Sequence, residues 1–251
     1  WLVLILALSM PLVGWLSNTG QLGPTNGEIS DRYPTLIVAA GYAFSIWGPI
    51  FLLDALFAAG QLRLVRPDLP LPRIRQLSAA AFALTSLWMV VFAQQWFWLS
   101  LLVIWLSLAC LLGALWLASA GQGRVRGPWW MWLPLSLHAG WVSLAVFLNT
   151  AQVAVAYELL STQAMLPWTL VLYALAAALL LGMLVLLRGN PWYALAAVWG
   201  LVGVYVRQQD SVLPGAQTSA LTALSLAVLV VVVTVGIGMK NRRGGQPALS
   251  H

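Results

Sequence analysis

Long apolar segments alternate with short polar connections along the whole chain. About 20 residues of helix cross a bilayer core roughly 30 Å thick, and segments near that length predict eight transmembrane helices. We place these spans at residues 1–16, 36–59, 77–94, 97–119, 129–149, 165–187, 191–206 and 217–239. The count depends on two short boundaries, the hairpin at Gln94 and Gln95 and the turn at Gly189, Asn190 and Pro191.

Composition excludes a water-soluble globule, because 61% of the residues are hydrophobic and only 7% are charged. In lipid, every backbone N–H and C=O must be satisfied within the protein, which leaves helices or closed barrels. The apolar segments lack the alternation of period two that barrel strands need. The predicted fold class is therefore all-α, a polytopic transmembrane helix bundle.

The basic residues indicate how the bundle is oriented. Ten of the twelve fall on alternate connections or after the last span, which is the pattern of cytoplasmic loops. We therefore expect an integral protein of the bacterial inner membrane with both termini cytoplasmic. The net charge of +6 is explained in the same way, so no nucleic-acid partner is expected. The ten residues are Arg63, Arg66, Arg73, Arg75, Arg124, Arg126, Arg188, Lys240, Arg242 and Arg243.

The connection from Ser17 to Thr35 is the longest one on the expected outer side, and it is rich in glycine and proline. Turn residues of this kind suit a folded lid over the bundle, although a solvated loop has the same composition. If it is a lid, its charged residues Glu28, Asp31 and Arg32 would meet the polar edge of a ligand.

An aromatic stripe runs along the second span, where helical spacing aligns Phe44, Trp47, Phe51 and Asp54. It indicates either the wall of a ligand site or an aromatic packing face. Asp54 is the only acid within a predicted span, and such a group is a functional candidate because an unpaired charge in lipid is costly. The alternative is that water or an arginine of the following loop reaches it.

The fifth span carries His138, Trp141 and Asn149 along one face. His138 could ligate haem iron, carry protons or form a hydrogen bond inside the bundle. Trp47, Trp88 and Trp141 lie well inside their spans, too deep for interfacial anchors, so some of them should face a protein interior or cavity.

Two faces of small residues predict close helix contacts. One, on the second span, consists of Gly41, Ser45 and Gly48, and the other, on the fifth span, of Ser136, Gly140 and Ser143. We expect the two faces to pack against each other.

The sequence contains no phosphate-binding glycine loop, no HExxH and no nucleophile beside a base, so enzymatic chemistry has no motif to support it. The single cysteine, Cys110, excludes an internal disulfide and a cysteine-based metal site. No metal ligands are predicted.

Three stretches resemble the TspO/MBR family of tryptophan-rich sensory or translocator proteins. They are residues 43–50 (AFSIWGPI), residues 87–92 (LWMVVF) and residues 141–149 (WVSLAVFLN), the last of which is similar to a family signature on the fifth helix. The likeness covers residues 1–150. Ala39 and Ala40 replace the usual paired prolines, and three further helices follow.

The resemblance implies a five-helix bundle at residues 1–150 whose first loop covers a pocket for tetrapyrroles, sterols or other flat lipophilic molecules, often in a homodimer. Residues 151–239 would add three helices, and 240–251 a basic cytoplasmic tail. No cofactor is required, but a porphyrin, haem or other lipophilic pigment is the expected ligand. The expected ligand-binding residues are Phe44, Trp47, Phe51, Asp54, Trp88, His138, Trp141 and Asn149.

Our leading hypothesis is a membrane receptor or carrier for such a ligand, which would transport or sense it. One alternative is an accessory or structural subunit of a larger membrane complex. Another is an intramembrane enzyme acting on a prenyl or polycyclic lipid, with Asp54, Glu158 or His138 as acid or base.

Overall fold

A computed structural model describes residues 1–119 and 127–244, and every regular element in these ranges is helical. Arg124, Arg126 and residues 245–251 of the expected tail lie outside the described residues. The α-helices are α1 (Leu2–Asn18), α2 (Asn26–Arg32), α3 (Trp47–Gly60), α4 (Leu71–Ala93), α5 (Phe97–Ala118), α6 (Trp129–Ala156), α7 (Met165–Leu186), α8 (Pro191–Gln209) and α9 (Ala216–Gly244). A 3₁₀ segment, Gly41–Ile46, leads into α3.

All helices except the short α2 correspond one to one with the eight predicted spans. In the described ranges, six of these eight helices are long and apolar enough to cross a membrane, when the 3₁₀ segment is counted as part of α3. The other two are α1, with 17 residues, and α8, which ends in Arg207, Gln208 and Gln209. The predicted polytopic helix bundle is confirmed.

Helix α6 forms the centre of the bundle and contacts α3, α5, α7 and α8. In its most apolar window 89% of the residues are buried, against 28–61% in the other five candidate spans. It also continues seven residues beyond the predicted end at 149, to Ala156. Neighbouring helices rather than lipid therefore surround most of this helix.

Both short boundaries that decide the helix count are real turns. Helix α4 ends at Ala93 and α5 begins at Phe97, with Gln95 in the left-handed region at φ 59°. At the other boundary, the Oδ1 of Asn190 accepts hydrogen bonds from the backbone N–H groups of Trp192 and Tyr193, which caps the start of α8.

The beginning of the second span differs from the prediction. Residues 36–40 are not helical, although all but Ala40 are buried. Their carbonyl groups need donors because lipid offers none, and the C-terminal helices supply them. The Gln208 side chain donates to the carbonyl of Thr35 over 3.1 Å, and Ser219 donates to that of Leu36.

Two further bonds hold the turn into the 3₁₀ segment. The backbone N–H of Ala40 donates to the carbonyl of Gly203 (2.9 Å), and the indole of Trp199 donates to the carbonyl of Ala43 (2.8 Å). Helices α8 and α9 thus complete the backbone hydrogen bonding of the first half of the chain.

The predicted pairing of the two small-residue faces is wrong. A Cβ on Gly48 would meet nothing within 4 Å among the described residues, whereas one on Gly140 would overlap the backbone oxygen of Tyr193 in α8. The amide of Asn190 donates to Ser136 Oγ (2.7 Å), and the hydroxyl of Tyr193 donates to Ser143 Oγ (2.8 Å). The small-residue face of α6 therefore packs against α8, not against the second span.

The long outer connection is folded rather than solvated. Thr25 and Glu28 form a capping box that starts α2. The Nε2 of Gln152, in α6, donates to Ser30 Oγ over 3.2 Å, and the amide of Gln94 donates to the carbonyl of Leu22 over 2.6 Å. Helix α2 and its flanks thus lie across one end of the bundle, and we call residues 19–32 the lid.

Candidate functional site

A small cavity of about 30 Å³ lies under the lid, between the 3₁₀ segment, α3, α4 and α6. Five aromatic side chains form most of its wall: Phe44, Trp47, Trp88, Phe92 and Trp141. Its polar lining consists of Asn26 and Ser30 from the lid and Asn149 and Gln152 from α6. The cavity is large enough for a water molecule or two but not for a drug-sized ligand.

Trp47 is at the centre of the aromatic cluster. Its ring stacks on Phe51 with centroids 5.3 Å apart, and it lies 6.3 Å from the ring of Trp88. It also meets the rings of Trp141 and His138 edge-on, at 6.1 and 5.6 Å. Aromatic pairs in such arrangements contribute about 0.5–1.5 kcal/mol each beyond the burial of their surface, so the cluster holds the cavity wall in one arrangement.

Two polar atoms at the cavity lack a hydrogen-bond partner among the described residues. One is the indole nitrogen of Trp141, whose side chain is only 1% exposed, and the other is Oδ1 of Asn26. By contrast, the indole of Trp88 donates to Oδ1 of Asn149 over 3.0 Å. A buried donor without a partner is costly, so the Trp141 N–H would gain from an acceptor brought against this wall.

Asp54 and His138 form a fully buried pair beside Trp47. His138 Nδ1 lies 2.7 Å from Asp54 Oδ2, and both side chains are 0% exposed. His138 Nε2 lies 3.3 Å from Thr85 Oγ1, and the ring of Phe82 stacks parallel to the imidazole at 6.1 Å. Among the described residues the ion-pair partner of Asp54 is thus a histidine, not a loop arginine.

Because both ring nitrogens of His138 form hydrogen bonds, neither is free to be an axial ligand of haem iron in this arrangement. No group of three or more potential metal-binding side chains occurs in the described ranges.

The structure brings the eight expected ligand-binding residues into one connected cluster. Five residues of this cluster line the cavity. Phe51 stacks on the ring of Trp47, and His138 of the Asp54–His138 pair also contacts that ring. The lining members of the expected set are Phe44, Trp47, Trp88, Trp141 and Asn149.

The three charged lid residues lie elsewhere. Glu28 caps α2, and hydrogen bonds from the backbone and hydroxyl of Thr25 lower the pKa of its carboxyl. Asp31 pairs with Arg207 of α8 at 2.6 Å, and Arg32 donates to Gln95 at 3.1 Å. None of the three lines the cavity in the described structure; Asp31 and Arg32 hold the lid to the bundle, whereas Glu28 is bonded within the lid.

Sequence reasoning missed several polar groups of the site. Gln152 lies one turn beyond Asn149 on the same face of α6, so extending that stripe past the predicted end of the span would have found it. Thr85 and Ser107 had no such signal, because isolated hydroxyl groups are common in transmembrane helices and only packing brings these two to His138.

The fold and site define an integral membrane protein: a helical bundle with an aromatic cavity covered by a folded lid. The chain belongs to the TSPO-like protein family, whose model matches residues 1–236. The match extends well beyond residue 150 and includes α7, α8 and most of α9. No curated protein and no solved structure matches the chain at a significant level.

Proposed function

We propose that this protein is a membrane receptor or carrier that binds a flat lipophilic molecule, with a porphyrin or haem-type tetrapyrrole as the first candidate, in the cavity under the lid. One observation carries the proposal: the buried indole N–H of Trp141 has no partner among the described residues and belongs to a wall of five aromatic rings. A planar, mostly apolar ring with a few acceptor atoms complements such a wall.

The size of the cavity sets a condition on binding. Ligand pockets for drug-sized molecules hold about 300–1,000 Å³, far more than the 30 Å³ present here. The described arrangement is therefore closed, and a ligand enters only if rings turn or the lid lifts.

The ion pair and the Arg32 bond of the lid are exposed and weak, whereas Ile29 and Ser30 of the same lid are buried and resist lifting. Its ion pair, Asp31–Arg207, has side chains that are 69% and 46% exposed, and exposed pairs contribute only about 0–1 kcal/mol. The bond from Arg32 to Gln95 is also exposed. Turning the rings would separate Trp47 from Phe51, and that would lose buried contacts.

The membrane position follows from the charge pattern. With both termini cytoplasmic in a bacterial inner membrane, the lid faces the outer side and the loop containing Arg63, Arg66, Arg73 and Arg75 faces the cytoplasm. A ligand would then enter from the outer leaflet or the outer aqueous phase.

Titration of the purified protein with protoporphyrin IX, followed by tryptophan fluorescence, tests the proposal. The wild type should show saturable quenching. Trp47→Phe and Trp141→Phe should each raise the dissociation constant about 2- to 12-fold, the equivalent of about 0.5–1.5 kcal/mol of lost ring contact.

Trp105→Phe is the matched control, because Trp105 is 38% exposed on α5 and lies outside the cavity lining. Its dissociation constant should equal that of the wild type. Equal constants in all four proteins, or quenching that never saturates, would show only partitioning of the porphyrin into the micelle and would contradict the proposed site.

A further inference from the structure

A chain of side-chain hydrogen bonds leads away from the buried Asp54–His138 pair and ends on a carbonyl group. His138 Nε2 lies 3.3 Å from Thr85 Oγ1, and Thr85 Oγ1 lies 2.9 Å from Ser107 Oγ. The hydroxyl of Ser107 donates to the backbone oxygen of Ala81 over 3.2 Å. The chain therefore crosses from α6 through α4 to α5 and back to the backbone of α4.

The carbonyl at its end fixes the direction of every hydrogen in the chain. A carbonyl can only accept, so the single hydrogen of Ser107 points to Ala81 and its oxygen must accept from Thr85. The hydrogen of Thr85 is then in use, and Thr85 Oγ1 must accept from His138. All three bonds exist together only if His138 Nε2 carries a hydrogen.

The opposite nitrogen of His138 requires a second hydrogen. Nδ1 and Asp54 Oδ2 are only 2.7 Å apart. A bare imidazole nitrogen and a carboxylate oxygen are both acceptors and would repel at that distance, so a proton lies between them. The pair is either carboxylate with imidazolium or carboxylic acid with neutral imidazole, and in both forms its net charge is zero.

Among the described residues, no other charged group lies in contact with the pair to balance its charge. Asp54 and His138 are the only acidic or basic residues of α3 and α6, α1 has none, and the only titratable side chain of α5 is Cys110. On α4 the basic groups are at its start, where Arg75 donates to the carbonyl of Gln61 over 2.6 Å.

On α8 and α7, which also pack on α6, the titratable side chains already have hydrogen-bond or ion-pair partners. On α8 the hydroxyl of Tyr193 donates to Ser143, the hydroxyl of Tyr205 accepts from Gln209, and Arg207 binds Asp31 of the lid. On α7 the hydroxyl of Tyr173 is bonded to Ser219. If the shared proton left, the carboxylate of Asp54 would be an uncompensated buried charge, and its Oδ1 already has no partner among the described residues.

We infer that Asp54 and His138 form a membrane-embedded proton-binding site, which holds one exchangeable proton between Oδ2 and Nδ1 and releases it when the bundle opens to water. Release breaks the hydrogen bond between the two residues, transfers the proton to an entering water molecule, and leaves a carboxylate and a neutral imidazole. The carboxylate needs hydration, so the unprotonated site favours an open bundle and the protonated site a closed one.

Trp47 connects this site to the cavity, and this further step rests on the proposed function. Its ring lines the cavity and also meets the imidazole of His138 at 5.6 Å. A ligand that displaces Trp47 would uncover the pair and admit water. Ligand binding should therefore release a proton, which would make the protein a proton-linked receptor or carrier.

The proton site can be tested without any ligand. The chain has two histidines, so His251→Gln leaves His138 as the only one for ¹⁵N NMR of histidine-labelled protein in nanodiscs at neutral pH. We expect hydrogen on both ring nitrogens, or hydrogen on Nε2 alone together with a carboxylic-acid C=O band in the infrared that Asp54→Asn removes. Hydrogen on Nδ1 with a bare Nε2 and no such band would overturn the proton site.

Coupling to the cavity is tested by the affinity for protoporphyrin IX at several pH values, in the wild type and in Asp54→Asn. Because binding would release one proton, the affinity should rise by up to about tenfold for each unit by which the pH is raised. This slope should appear in the wild type in excess of Asp54→Asn, which shares any titration of the porphyrin itself. Equal slopes with saturable binding would overturn the coupling alone. If binding does not saturate in any protein, the proposed function fails, and the NMR result still decides the proton site.

Discussion

Adding one methyl group at Gly140 should separate the two helices at the centre of the bundle. A Cβ there would overlap the backbone oxygen of Tyr193, lie 3.0 Å from its carbonyl carbon and approach Ala196 Cβ to 3.1 Å. A backbone oxygen cannot turn aside as a flexible side chain does, so α6 and α8 would have to move apart.

The helices resist that movement on both sides of Gly140. The bonds from Asn190 to Ser136 (2.7 Å) and from Tyr193 to Ser143 (2.8 Å) flank it along α6, and separation would stretch both. Overpacking of this kind costs about 1–3 kcal/mol. Replacing glycine by alanine stabilises a helix by about 1 kcal/mol. The net loss of stability in Gly140→Ala should therefore be about 0–2 kcal/mol.

Gly182→Ala is the matched control, because Gly182 is inside α7, one turn before its end, and a Cβ there meets nothing within 4 Å in the described structure. The difference between the two variants isolates the overpacking, and at about 2–4 °C per kcal/mol it should be roughly 2–12 °C in apparent Tm. Size-exclusion chromatography after heating in detergent measures it at a fixed heating rate. Equal melting of the two variants would refute the close contact between α6 and α8.

Three further outcomes are expected. Trp199→Phe should destabilise the protein by about 1–3 kcal/mol, because the carbonyl of the buried residue Ala43 would lose its donor; the same unfolding assay measures it, and an unchanged Tm would contradict the role of α8. In a Cys110→Ala background, a short bifunctional thiol reagent that links Ser30→Cys to Gln152→Cys should slow porphyrin association, whereas an unchanged rate would show that the lid does not open for entry. A cysteine at Arg73 should resist impermeant reagents added outside intact cells, and labelling there would reverse the proposed orientation.

Much of the architecture could be predicted because the bilayer imposes it. A span must be a helix of a certain length, so apolar segments and basic loops were sufficient to locate eight helices and both tight boundaries. Helical periodicity also placed Trp47 on one face with Phe51 and Asp54, and His138 with Trp141 and Asn149. Those stripes contain most of the candidate site.

Other features required the contacts between distant residues. Residues 36–40 look like the start of a helix, but donors on α8 and α9 allow them to remain non-helical inside the bundle. The hydropathy of a segment does not reveal such donors. For the same reason, the small face of α6 could be recognised from sequence, whereas its partner, α8, could not.

The sequence by itself determined that this chain spans a membrane as a helical bundle with aromatic stripes inside it, because hydrophobic length and periodicity are local properties. Only the tertiary structure decided that Asp54 meets His138, which is 84 residues away along the chain. It alone also decided that the hydroxyl groups of Thr85 and Ser107 continue the contact. A buried charge and its partner are matched by the packing of helices against one another, and that match leaves no periodic signal in the sequence.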